Sequence, residues 1–295
     1  MKAYLALAAA VGGITWSAIF VRWAGIPGAA SAFYRVLIAA LVLVPWRLTV
    51  GVGVGSRFAI RKSRSDPVAK TAAAVAVAGG VFFALDLALW NTAVLRTQAA
   101  IASILGNNTP VFVGIMSWLV FKRRPRASFW IGLALALGGC LVILSADLRR
   151  AAEGAGSLTG DLLALVASVF FAGYLVTTER VRTAMDTLTF NTLSICGSAA
   201  TLLAVCLLFD LPLTGYAART WWALAGLGLV SQLGAYYALV YALGHLPATI
   251  TSVGLLAQVP GTALLAMLLL GEPLTVMQML GGLVVLAGIW VVNRE

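Results

Sequence analysis

The chain has 295 residues, 61% of them hydrophobic and only 10% charged. A water-soluble domain usually carries about a quarter charged residues, so a soluble enzyme or binding module is excluded. The net charge of +10 sits in short loops between apolar runs, where membrane-insertion topology accounts for it and nucleic acid is not required.

Those runs predict ten membrane helices, each long enough for a hydrocarbon core of ~30 Å. The first, 4–22, opens like a signal peptide. Its apolar run continues through Trp16 and Phe20 to Arg22, which is too long for a signal core. The second, 28–48, carries Arg35. The third, 69–94, carries Phe82, Asp86 and Trp90 at four-residue steps. The fourth, 98–121, places Ser103, Asn107, Pro110 and Gly114 at helical spacing on one face, with Asn108 beside them. The fifth is 126–145, followed by the polar, Gly/Ala-rich stretch 146–157. The sixth, 158–178, holds Tyr174 where the first holds Trp16. The seventh is 187–209. The eighth, 219–243, starts with Trp221 and Trp222, an interfacial belt, and carries Gln232, Tyr236, Tyr237 and Tyr241. The ninth, 247–270, spaces Thr251, Leu255, Gln258 and Thr262 as the fourth spaces its set. The tenth is 274–292. Strands of a membrane β-barrel, about ten residues of alternating polarity, are absent.

Seven prolines (27, 45, 67, 125, 212, 247 and 273) fall near predicted helix ends. Pro110 and Pro260 fall inside the fourth and ninth spans. There each removes a donor and frees a carbonyl one turn earlier, so both are expected to kink their helices.

Ten spans put both termini on one side. Fourteen of the 20 basic residues lie on that side, five on the other, and Arg35 lies within a span. The positive-inside rule then places both termini in the cytoplasm of a cell with this protein in its inner or plasma membrane.

Residues 97–140 and 246–289 read as two copies of one segment. Ser103 matches Ser252, Gly132 matches Gly281 and Gly139 matches Gly288, all at an offset of 149. Pro110 and Pro260 match one residue out of step. Five helices separate the copies, an odd number, so the second enters from the opposite face. The basic corner KRRPRA of the first copy corresponds to GEPLT in the second, with Glu272 and no basic residue, as inversion requires. The expected fold is all-α, with two inverted five-helix repeats: 1–145, a linker 146–157, and 158–295.

The stretches GEPLTVMQMLGGLVVLAGIWVV at 271–292, SAFYRVLIAALVLVP at 31–45 and RTQAAIASILGNNTPVFVGI at 96–115 resemble the drug/metabolite transporter superfamily, EamA-type branch. The first corner departs from that pattern, reading FKRRPRA where the family often has a glycine–glutamate pair. The resemblance implies export of small metabolites without ATP hydrolysis. The Trp- and Tyr-rich character resembles the YddG-like aromatic amino acid exporters; other branches move drugs, purines or sugars.

A polar side chain in hydrocarbon is costly and usually faces protein or water. Asn107, Gln258, Asn108 and Ser103 are therefore candidates for a substrate pathway, against the alternative of glue between packed helices. Phe82, Trp90, Tyr237, Trp16 and Tyr174 can stack on a substrate or simply pack. Arg35 and Asp86 lie on the order of 10–12 Å deep at ~1.5 Å per residue. Either they form a buried pair, or Asp86 takes a proton or a substrate amine while Arg35 meets a carboxylate. Glu179 and Asp161 are read as solvated ends.

No HExxH, GxSxG or phosphate-cradling GKS motif is present, which argues against an intramembrane enzyme. One histidine, His245, gives no imidazole metal site, and no cofactor is expected. Cys140, Cys196 and Cys206 are read as small buried hydrophobes. The expected partners are a small-molecule substrate and the lipid bilayer, with a monomer sufficient.

Overall fold

The computed structural model describes residues 1–53, 67–96, 105–152, 157–270 and 275–294, and all regular structure among them is helical. Among the described residues nine helices are long and apolar enough to cross a membrane, and Thr109–Phe121 is a shorter apolar helix of the fourth span. Ser103 and Glu272 lie outside the described residues.

The spans differ from the expected ones where the backbone breaks. The first consists of Lys2–Thr15 and Ser17–Ala24, separated at Trp16. The second, Gly28–Gly53, runs on past Pro45, so that proline is inside a helix and not near its end. The third is Pro67–Arg96, the fifth Ala127–Ala152, the sixth Leu158–Arg182 and the seventh Thr187–Leu208. The fifth thus continues as helix into the stretch read as linker. The eighth starts as Ala218–Gly226, passes through a π-helix over Leu227–Tyr236 and ends as Tyr237–Leu243. The ninth is Ala248–Leu255 and Gln258–Leu270, and the tenth is Val276–Asn293.

The fourth and ninth spans break at the same place in their repeats. The fourth turns at Asn107–Asn108 and the ninth at Leu256–Ala257, again 149 residues apart. At both turns backbone bonds tighten to three-residue spacing, Asn108 N–H to Leu105 at 3.2 Å and Ala257 N–H to Gly254 at 3.2 Å. Pro110 then falls in the first turn of the new helix, and Pro260 is the third residue of its own. A first-turn N–H has no intrahelical acceptor, so a proline there costs little. The prolines start half-helices; neither strains a continuous one.

The fifth and tenth spans reveal how the halves relate. A Cβ on Gly132 would lie 2.6 Å from the Gly288 carbonyl, and one on Gly281 would lie 2.8 Å from the Gly139 carbonyl. Gly132 is the repeat partner of Gly281, and Gly139 of Gly288. Each contact is therefore the other's image, the reciprocal pairing that a two-fold axis imposes. The two helices run antiparallel, so the axis lies across them, in the membrane plane. Small residues let these backbones touch, the usual basis of helix association in lipid.

The exchange recurs elsewhere. Gly80 of the third span packs on the Ser194 carbonyl of the seventh, and Gly228 of the eighth packs on Ile38 and the Arg35 carbonyl of the second. The core lies between these helices, where Phe83, Phe190, Leu175, Leu202, Leu239 and Leu243 are fully buried. Outward faces carry Ile131, Leu135, Leu283, Leu286 and Trp290, as a lipid-facing surface should. Cys140 and Cys206 are buried, but Cys196 is exposed, contrary to expectation. Its helix presents that position outward among apolar residues.

Candidate functional site

Irregular backbone is tolerated at membrane depth only where protein or a cavity surrounds it. In this bundle the irregular segments converge. Gln258, first residue after the ninth-span break, donates through Nε2 to Asn107 Oδ1 in the fourth-span break, at 3.4 Å. Gly261 packs against Thr15, which precedes the first-span break, with Thr15 Oγ1 3.0 Å from where a Cβ would be. The π-helix of the eighth span closes on the same region: Ser231 donates to the Gly13 carbonyl at 3.0 Å, and Gly13 abuts Ala235. Four spans thus contribute non-α backbone to one zone near the middle of the bundle. Such π segments recur at functional sites.

Several candidate residues line this zone. Asn107 is buried and Gln258 half-buried. Asn108 is half-buried and its Nδ2 donates to the Leu105 carbonyl at 3.3 Å. The single stripe expected for Asn107, Pro110 and Gly114 is interrupted, because the chain turns at Asn107–Asn108 and the downstream residues belong to a new half-helix. The break between Leu255 and Gln258 interrupts the ninth-span stripe in the same way. Trp90 lies against Gly106, with its indole nitrogen 3.1 Å from the position of a Cβ. Phe82 faces the sixth span, 6.2 Å from Phe170 between ring centroids. Trp16 is half-buried at its break and stacks on Phe20 at 5.8 Å.

Beside the breaks lies an aromatic core. Tyr174 is 2% exposed and packs with Phe83 at 4.9 Å, while Phe83 meets Tyr236 at 4.7 Å. Phe171 joins both tyrosines. Tyr236, not the expected Tyr237, occupies this core. Tyr237 points toward the helix ends and stacks on Trp46 at 5.8 Å. The eighth span runs as a π-helix up to Tyr236, and its i→i+5 bonding helps set which of the two adjacent tyrosines turns inward.

Arg35 is 5% exposed and sits under this core. Its Nε donates to Gln232 Oε1 at 2.7 Å and its Nη1 to Ser17 Oγ at 3.0 Å. The guanidinium carbon is 5.0 Å from the Tyr236 ring centroid and 6.0 Å from that of Phe83. The buried Arg35–Asp86 ion pair offered as one reading is not formed. Asp86 is half-buried, interacts electrostatically with Arg35, and makes no hydrogen bond or ion pair among the described residues. Gln232 and Ser17, which ligate the arginine, were not legible as partners: they are far from it in sequence, and only the packing of the first and eighth spans on the second brings them in.

At the end of the bundle bearing the termini, polar side chains tie several helix ends together. Glu179, read from sequence as merely solvated, accepts the Ala248 N–H at 2.9 Å and so caps the ninth span. Arg182 donates to the Val240 carbonyl at 3.3 Å and to that of Met185, joining the sixth span to the end of the eighth. Asp186 accepts the backbone N–H of Thr189 at 2.9 Å and its hydroxyl at 2.6 Å, and Arg47 donates to that hydroxyl oxygen at 3.0 Å. Burial pushes the Asp186 carboxyl up, but the two Thr189 bonds and nearby Arg47 prevail and hold it below its ordinary value. At the opposite end Tyr34 donates to the Leu213 carbonyl and packs edge-on against Trp221 at 5.0 Å. Among the described residues no cluster of His, Cys, Asp and Glu is arranged to hold a metal.

Comparison with known proteins agrees with this architecture. The EamA-like transporter family model matches residues 2–145 and again 158–294. The uncharacterised transporter YwfM of Bacillus subtilis is 27% identical over 257 residues, covering 84% of this chain and 82% of that protein. The pseudopaline exporter CntI of Pseudomonas aeruginosa is 30% identical over 177 residues, covering 59% of this chain and 58% of that one. A solved crystal structure shares the fold with a TM-score of 0.77 at 20% identity, over 99% of this chain and 96% of the other.

Proposed function

This chain belongs to the EamA-like transporter family, and from that premise we propose that it exports small metabolites, foremost neutral or aromatic amino acids such as phenylalanine, threonine and methionine. Transport runs by alternating access: the two inverted halves rock about the zone where the broken helices meet, and neither ATP nor a covalent intermediate is needed. The observation that carries the reading is the Asn107–Gln258 contact between two half-helix breaks at equivalent points of the repeats. Amide groups there offer donors and acceptors to a substrate, and the breaks leave backbone groups facing the same space. The aromatic core beside them supports a ligand with an apolar or aromatic side chain. Likeness to a named exporter supports the direction of transport. The excess of basic residues at the termini-bearing end supports a cytoplasmic placement of both termini in a cell membrane.

The test is transport in proteoliposomes with radiolabelled phenylalanine, threonine and methionine, with and without a proton gradient. Counterflow of at least one of them, abolished by Asn107→Leu, is the expected result. Absence of movement across a full amino acid panel sinks the substrate class and leaves export of another small metabolite.

A further inference from the structure

We propose that Arg35 and Asp86 bind the two charges of a zwitterionic substrate, Arg35 taking its carboxylate and Asp86 its ammonium. This inference rests on the amino acid reading above. Arg35 is held by two neutral acceptors, Gln232 and Ser17, lies against Tyr236, and has its Nη2 buried with no hydrogen bond of good geometry among the described residues. Asp86 is the reverse: a half-buried carboxylate with no hydrogen-bond donor among the described residues. The two groups stand on consecutive spans, farther apart than the 4.0 Å of an ion pair.

A charge at this depth that lacks a partner is costly, and such residues mark substrate or ion pathways. Each group lacks what the other half of a zwitterion supplies. A molecule with both a carboxylate and an ammonium satisfies the two sites together and adds no net charge to the bundle. A simple amine or a simple acid satisfies one and leaves the other orphaned. The Phe83 and Tyr236 rings cover the guanidinium in this conformation. Asp86 therefore meets the ammonium first, and the carboxylate reaches Arg35 as the halves rock and the rings shift. Gln232 and Ser17 keep the guanidinium aimed while it waits.

The experiment measures equilibrium binding to the full chain in nanodiscs for L-phenylalanine, phenylalaninol and 3-phenylpropionate, and repeats it with the methionine and threonine series. The zwitterion is expected to bind roughly tenfold or more tightly than the amino alcohol or the acid, the scale of a lost hydrogen bond to a charged group. Asp86→Asn removes no hydrogen bond among the described residues, so the variant should still fold, as its cooperative thermal transition will check. It should weaken phenylalanine and phenylalaninol and leave 3-phenylpropionate unchanged. Arg35→Lys should weaken phenylalanine and 3-phenylpropionate and spare phenylalaninol. Equal affinity for phenylalanine and phenylalaninol, or wild-type phenylalanine binding by Asp86→Asn, overturns the two-charge site. In that case wild-type amino acid transport still stands and only this inference falls. A wild type that neither binds nor moves any amino acid overturns both.

Discussion

The seam between the fifth and tenth spans and the zone around Arg35 obey opposite rules. At the seam the two halves match glycine for glycine, and each contact has its two-fold image. Around Arg35 the symmetry holds for the backbone and fails for the side chains. Gly228 packs on the Arg35 carbonyl as Gly80 packs on that of Ser194, so arginine stands in one half where serine stands in the other. The breaks diverge likewise: Asn107–Asn108 in one repeat corresponds to Leu256–Ala257 in the other. A seam needs only the absence of side chains, which both halves can supply identically. A small polar substrate has no two-fold axis, so the groups that hold it have to differ between the halves.

The largest expected effect is at the seam. A Cβ on Gly288 would lie 2.5 Å from the Gly132 carbonyl and 2.6 Å from the Ala136 nitrogen, both backbone atoms that cannot swing away. Gly288→Leu should cost roughly 3 kcal/mol or more, seen as loss of monodisperse protein or a steep fall in melting temperature. Its image, Gly139→Leu, should fail to a similar degree. A well-tolerated Gly139→Leu beside a non-folding Gly288→Leu would break the symmetry argued for the seam.

A middle-sized effect separates the halves in the central zone. Gln232→Leu takes the acceptor from Arg35 Nε and leaves a second guanidinium nitrogen unbonded. It should lower stability by about 1–3 kcal/mol. Ser194→Ala, at the place corresponding to Arg35, should stay within about 0.5 kcal/mol. Thermal unfolding of both variants in one detergent reads the difference. Equal losses would remove the asymmetry.

The smallest effect tests the termini-bearing end. Asp186 caps the seventh span, whereas Pro27 precedes the second. Because its folded carboxyl lies below the ordinary 3.8, deprotonated Asp186 is favoured by folding. That contribution is complete above the unfolded value and is lost as pH falls below 3.8 through the folded one. The melting temperature of the wild type should therefore converge on that of Asp186→Asn as pH is lowered from about 6 to about 3. A constant gap across that range would show that the Thr189 bonds serve the neutral acid equally well.

Much of the scaffold was legible in the chain. Apolar runs located the spans, because length and hydropathy are local properties. The offset between Gly132 and Gly281, and between Gly139 and Gly288, announced the repeat, and the odd number of intervening helices made it inverted. The prolines marked where the fourth and ninth spans break, although they begin new half-helices and kink no continuous one. Asn107 and Gln258 were both recognisable as polar residues at those points. Their meeting was not, since 151 positions separate them.

What tertiary structure alone decided is the pairing of the buried polar groups and the register of the eighth span. Sequence showed one arginine and one aspartate at similar depth and left open whether they pair or meet a substrate. Packing of the first and eighth spans on the second instead brought Ser17 and Gln232 to the arginine. Sequence offered Tyr236, Tyr237 and Tyr241 of the eighth span together and named Tyr237 as the pathway candidate. The π-helix and its packing put Tyr236 in the aromatic core instead. In both cases the outcome depended on which neighbours a helix met, and a rare π segment is not announced by the sequence of that segment alone.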